Sequence, residues 1–406
     1  MDYQSLAEGI SSVNDEHNLS AVISPQEPPS GKEVVTSTLI DPLTGTMQRS
    51  AKRKSSTQSD GDNRQRRRSP ATDDSTHILL NDAPRGDEIV LSEVDLQGHD
   101  LSYENLKLAN FSRLNLREAK FCGADLYSAD FQEANLEKAD LSNADMEEAD
   151  LSMANLSQAQ LQGTNLSFAL LYTVNLSKAN LQHADFSHAD LREADLYGAN
   201  LQNGNFHEAH LSFAYLGNAD FRNAQLSEVN CREAILHNAL GSGANLQKAI
   251  LLKTDFSKTD LSNADLTGAK LQYSMFHAAR LVGVRLTGAD ISLANFIQCC
   301  LRDANLDQVS GYNANFGQAD LTGASLVDAQ LETANFLDAD LSYALLRRAN
   351  LQGALLSGAN LSGANLRGAD LQGSQMRNTD LRNANLRDAN ITGVDLSDAL
   401  TEGTRF

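Results

Sequence analysis

Nine carboxylates crowd into one short stretch: Asp125, Asp130, Glu133, Glu137, Asp140, Asp145, Glu147, Glu148 and Asp150. Lys138 alone opposes them within that stretch. Such a density could hold a divalent cation, but calcium loops place oxygen ligands in a fixed order around a glycine turn, and no such order is present here. A protein partner with a basic surface is the better expectation, and a merely solvated face is the plainer alternative. Other chemistry-bearing residues are scattered. Cys122, Cys231, Cys299 and Cys300 have no CxxC spacing and no companion histidines, so they read as reduced thiols and not as a metal site or disulfide framework. His183, His188, His207, His210, His237 and His277 fall mostly on different outward positions, without paired acids or a nucleophile. No glycine-rich phosphate loop opens a helix after a strand. The expectation is a protein that is not an enzyme and needs no cofactor or metal.

The chain has 406 residues and a net charge of −20, which suits solubility and basic partners and argues against direct nucleic-acid or anionic-membrane binding. Neither a signal-peptide run nor an apolar stretch of about 20 residues occurs, so the expected location is cytoplasmic. All six prolines precede residue 85. Residues 1–88 are rich in Ser, Thr, Gln, Asp and Pro and have too little apolar surface to offset ordering entropy, so a disordered amino-terminal arm is expected there. Within it, the basic run at 49–68 contains two clusters, Lys52-Arg53-Lys54 and Arg64 with Arg66, Arg67 and Arg68. These could form a bipartite nuclear-import signal, giving a nuclear alternative for location; a solvated basic linker is the bland reading.

What must position the acids is a repeat. From Leu91 to Leu396 every fifth residue is a central site, 62 in all, and large and apolar with few exceptions: 44 Leu, 11 Phe, two Met and two Ile, with Cys231, Gly241 and Gly311 the replacements. Ala usually stands two places earlier, and Asp or Asn one place earlier. An α-helix would scatter such leucines around its cylinder, and a flat strand would send them to alternate faces. A chain that bends the same way after every five residues keeps them all inside. Phe256, Phe276, Phe296, Phe316 and Phe336 are spaced by 20, as are Phe111/Phe131 and Phe186/Phe206. Stacked rings therefore predict four pentapeptides per coil: an all-β, square, parallel coil, about fifteen coils long, over residues 89–406. With coils about 4.8 Å apart, like residues spaced by 20 become vertical neighbours. Asp125 should lie against Asp145 and Asp130 against Asp150, at a repulsive cost that a basic partner could relieve.

Stretches such as "ANLRG", "ADLQG", "ADLSN" and "ANLEK" resemble the pentapeptide-repeat family, written A(D/N)LXX. The resemblance implies a right-handed quadrilateral β-helix. It also implies work through protein contacts, as a scaffold or regulator. Some members resemble duplex DNA in size and charge and bind DNA gyrase or topoisomerase IV, so DNA mimicry is one alternative. Several of those carry interrupting loops or a dimer-building terminal helix, whereas this repeat is uninterrupted and "LSDALTEGTRF" is too short for such a helix. Other members are bacterial effectors acting in host cells, a second alternative that the basic arm would suit.

A second candidate surface lies at 213–252. Phe213, Tyr215, Ile235, Leu240, Ile250 and Leu252 occupy outward positions where the central residue is twice replaced, by Cys231 and Gly241. An exposed apolar patch marks a binding surface. Its alternative is local decay of the repeat, with side chains folding over a widened coil. Open coil ends, with unpaired backbone, also leave room for an end-to-end homodimer.

Overall fold

The computed structural model describes residues 95–406. The expected arm with its basic run, including Lys52, Arg53, Lys54, Arg64, Arg66, Arg67 and Arg68, lies outside the described residues, as does the expected boundary near residue 88. All the described residues fall in one unit, Ser69–Phe406.

The chain winds as a right-handed quadrilateral β-helix. Isolated parallel bridges join each residue before a central site to the one 20 positions later: Asp100 to Lys120, Asn105 to Asp125, Asn110 to Asp130 and Asn115 to Asn135. These four series define the first, second, third and fourth sides, taken in chain order. They continue through Asp380↔Leu400 on the first side and Asn385↔Arg405 on the second.

The five-residue motif follows from where its five N–H groups go. At the pentapeptide around Leu116, Leu116 donates to Asn135 O of the next coil (2.8 Å) and Glu118 to Glu137 O (2.9 Å). Ala119 closes the corner by donating to Leu116 O (3.0 Å), and Asn135 donates back to Leu114 O (2.9 Å). One N–H remains, that of the residue just after the central one. The Asp or Asn side chain supplies its acceptor: Gln132 donates to Asp130 Oδ1 at 2.9 Å and Ser142 to Asp140 Oδ1 at 3.0 Å. The acidic or amide position is thus an Asx turn that completes the backbone's hydrogen bonding. Four of the five N–H groups serve the ladder or the corner, so proline has almost nowhere to stand.

Each corner holds two residues, the second in the left-handed region; Glu118 has φ 59° and Lys138 φ 60°. A hydrogen-bonded turn with positive φ only at its third residue is type II. Inside, the central residues and the alanines are buried from Leu96 to Leu386. The phenylalanines stack as the spacing requires: Phe256, Phe276, Phe296, Phe316 and Phe336 have successive centroids 5.0, 4.7, 4.9 and 4.9 Å apart. Where threonine replaces the inner alanine, its hydroxyl donates to a carbonyl of the preceding coil, as Thr164 does to Leu141 O at 2.8 Å.

Candidate functional site

The acids of 125–150 form a collar and not one face. Asp125 and Asp145 are bridged neighbours on the second side, and Asp130 and Asp150 on the third, with Glu147 and Glu148 at the corner between. Glu133 sits at the third–fourth corner, Glu137 at the fourth–first corner, and Asp140 on the first side. The sequence stretch names Lys138 as their sole counter-charge, but the preceding coil supplies more. Lys107 reaches Asp125 at 3.1 Å, Arg113 reaches Glu133 at 3.1 Å, and Arg117 reaches Glu137 at 3.4 Å. Tyr127 donates to Glu148 at 2.8 Å, and Asn165 donates to Asp145 at 2.9 Å. What remains open is the second–third corner with its two flanking sides, where, among the described residues, six carboxylates meet Lys107 alone as ion-pair partner.

Decay of the repeat around Cys231 and Gly241 is not what the structure has: the bridges pass through unbroken, from Tyr215 to Ile235 to Asp255 and from Leu240 to Asp260. A Cβ on Gly241 would lie 2.2 Å from the Phe221 ring of the coil before, so the ring occupies the room a leucine would need. Cys231 lines a small apolar void of about 20 Å³. Burial pushes its thiol up to about 12, so it stays protonated and inert.

The six apolar residues of 213–252 divide among sides. Phe213 and Leu252 lie at the third–fourth corner, Tyr215 and Ile235 on the fourth side, and Ile250 on the third side, beside that corner. Leu240 stands apart on the first side. The apolar surface itself runs further than the sequence window, because Tyr273, Met275, Leu293 and Tyr312 continue the same corner and side. Phe213 and Tyr312 are each 53% exposed and Tyr273 55%. Tyr197 stacks on Tyr215 at 5.5 Å, at the margin of the fourth side. Within the stripe, Lys253 and Glu233 pair at 3.4 Å. Sorting outward residues by 20 would have revealed this continuity.

Two groups escaped the sequence reading. His188 Nδ1 lies 3.3 Å and His207 Nε2 3.2 Å from the Glu208 carboxylate, so two histidines do have a paired acid. Phe168 stacks on His188 with centroids 4.7 Å apart. Among the described residues no group of three or more His, Cys, Asp or Glu side chains is arranged to hold a metal ion. The second group is Arg347, Arg367 and Arg387, spaced by 20 on the second–third corner, with Arg348 beside them.

Comparison with known proteins agrees with this geometry. The family model described as pentapeptide repeats matches from residue 90 to residue 400 in successive segments, among them 90–126, 169–207, 242–274 and 364–400. A search of curated proteins finds no match. Among solved structures, the chain is similar to HetL, a pentapeptide repeat protein involved in heterocyst differentiation regulation in the cyanobacterium Nostoc sp. strain PCC 7120. Identity is 27%, covering 74% of this chain and 94% of that one, with a TM-score of 0.22. A pentapeptide repeat protein of the Arabidopsis thaliana thylakoid lumen is 35% identical over 25% of this chain and 68% of that one (TM-score 0.20). QnrB1, a plasmid-mediated fluoroquinolone resistance protein, is 19% identical over 52% of this chain and 88% of that one (TM-score 0.19). The A(D/N)LXX motif, the coil of 20 and the family match converge, and the chain belongs to the pentapeptide-repeat family.

Proposed function

We propose that this protein is a non-enzymatic scaffold or regulator that binds another protein through the third–fourth corner and fourth side of its coil. The carrying observation is the exposed apolar stripe Phe213, Ile235, Tyr273, Met275, Leu293 and Tyr312, ordered along one side of the coil. Large exposed apolar patches on soluble proteins mark contact surfaces, and rigidly held aromatics bind with little entropic cost. The interior supports the non-enzymatic reading, since among the described residues its axis is filled by buried side chains and the void that Cys231 lines holds little more than a water molecule. A cytoplasmic location is part of the proposal. Deleting residues 49–68 and following the protein's position in a nucleated cell separates it from the nuclear alternative.

The test replaces Phe213, Tyr273 and Met275 together by Asn. Asparagine tolerates the left-handed φ at 213 and 273 and provides an Asx acceptor at 275, so the coil is kept. Capture on the full chain should lose the bound partner at least about tenfold, as expected when central aromatic anchors go. An unchanged partner set would remove the stripe from the function. DNA mimicry of a type II topoisomerase is the competing reading, and the cations Lys107, Arg113 and Arg117 set among the acids count against it. Inhibition or protection of gyrase supercoiling at micromolar protein would reinstate it.

A further inference from the structure

We propose that two copies of this chain pair side by side and antiparallel along the second–third corner, the acid-rich end of each lying against the arginine ladder of the other. The contact goes beyond the binding stripe and does not use it.

The observations begin at the ladder. Arg347, Arg367 and Arg387 occupy the same corner position in three consecutive coils, their backbones linked by Arg348 N–H to Arg367 O (3.1 Å) and Gly368 N–H to Arg387 O (2.9 Å). All three are exposed. Arg348 pairs with Asp328 at 2.6 Å and Arg367 with Asp388 at 3.0 Å. Among the described residues, Arg347 and Arg387 form no ion pair. Asp328 and Asp388 offset part of the ladder's charge, and the four arginines still leave it net positive.

The complementary surface is on the same molecule. Asp125, Asp130, Asp145, Glu147, Glu148 and Asp150 lie on this corner and its two flanking sides, near the start of the described coil. Bridges joining equivalent positions carry the corner from one cluster to the other without a break. One corner therefore has a negative cluster at one end and a positive cluster at the other. A twofold axis across its middle brings each cluster against its opposite in the second copy, and both contacts form at once. This is a closed, self-complementary arrangement. A parallel pair would bring like clusters together. Around the proposed axis, residues 201–300 carry eight acidic and eight basic residues, whereas 151–200 and 301–346 together carry eleven acidic and three basic, a repulsion that the two end contacts must outweigh.

Exposed ion pairs are individually weak and screened by salt, so the pair should be reversible and ionic-strength dependent. Sedimentation equilibrium of the full chain should give dimers at tens of micromolar in about 0.05 M salt, with the dissociation constant rising at least tenfold at about 0.5 M. Arg347→Glu, Arg367→Glu and Arg387→Glu together should give monomers, and so should Glu147→Lys with Glu148→Lys. Mixing these two variants should restore part of the pairing as a heterodimer, because the acid-rich end of the first still meets the arginine ladder of the second. Far-UV circular dichroism, unchanged in each variant, secures the fold. The proposal is overturned if the chain is monomeric at low salt, if either reversal leaves the dimer intact as an end-to-end contact would, or if the mixture stays monomeric.

Discussion

Phe221 and Gly241 show how single residues keep the coil filled. Gly241 stands where a leucine is the rule, and the Phe221 ring has taken its volume. Gly241→Leu should cost about 2–3 kcal/mol by overpacking. Phe221→Leu together with Gly241→Leu rebuilds the ordinary column, so the double variant should be more stable than the sum of the single effects. Thermal or denaturant melts of the four proteins give the coupling, and strict additivity would mean the two side chains do not share that space. Asp265 gives the pH dependence. Burial alone would raise its carboxyl, but hydrogen bonds from Thr267, Gln247 and Arg285 outweigh that and hold it at about 2. Its folded pKa lies below the unfolded one, so its stabilisation is present above about pH 4 and is lost as pH falls through about 2. Asp265→Asn should lower stability at pH 7 by on the order of 1–2 kcal/mol, with the difference from the parent shrinking toward pH 2. An Asn variant equally destabilised at pH 2 and pH 7 would exclude the carboxylate as the source.

The pentapeptide is the element, and most of it was legible in the sequence. Leucine every five residues fixed the inward bend, and phenylalanine every 20 fixed four bends per coil, because an apolar column has to be continuous. The surface was less legible. A window such as 213–252 mixes residues from different sides, which is why Leu240 and Phe213 were grouped and Tyr312 was missed. Charge balance within a window failed for the same reason, since Lys107, Arg113 and Arg117 reach their acids from one coil away. The left-handed corner residue was legible only where it is glycine. Elsewhere the coil imposes positive φ on residues that resist it, such as Thr173 at φ 53°. A β-branched side chain is strained there and asparagine is tolerated, so Thr173→Asn should stabilise by about 0.5–1 kcal/mol. A drop in melting temperature would show that an unrecognised contact of Thr173 outweighs the strain.

Across the whole coil, each turn touches only its neighbours, so stability should sum along it and insertions or deletions should matter by their phase. This separates two properties that other folds confound. Deleting residues 314–333 removes one complete coil; every downstream residue keeps its corner, and the arginine ladder stays in line with the acids at 125–150. Deleting only 314–318, the pentapeptide "ANFGQ", preserves the motif and the hydrogen-bonding scheme but turns everything downstream by one side. Both variants should fold, because the A(D/N)LXX register is intact at the junction. The five-residue deletion should melt lower, since it sets a column of one composition over another. Only the larger deletion should keep the salt-sensitive dimer, because a quarter turn carries Arg347, Arg367 and Arg387 onto a different corner from Glu147 and Glu148. Dimers from both deletions would mean that the charged corner does not set the pairing; loss of dimer from the larger one alone would reverse the phase argument.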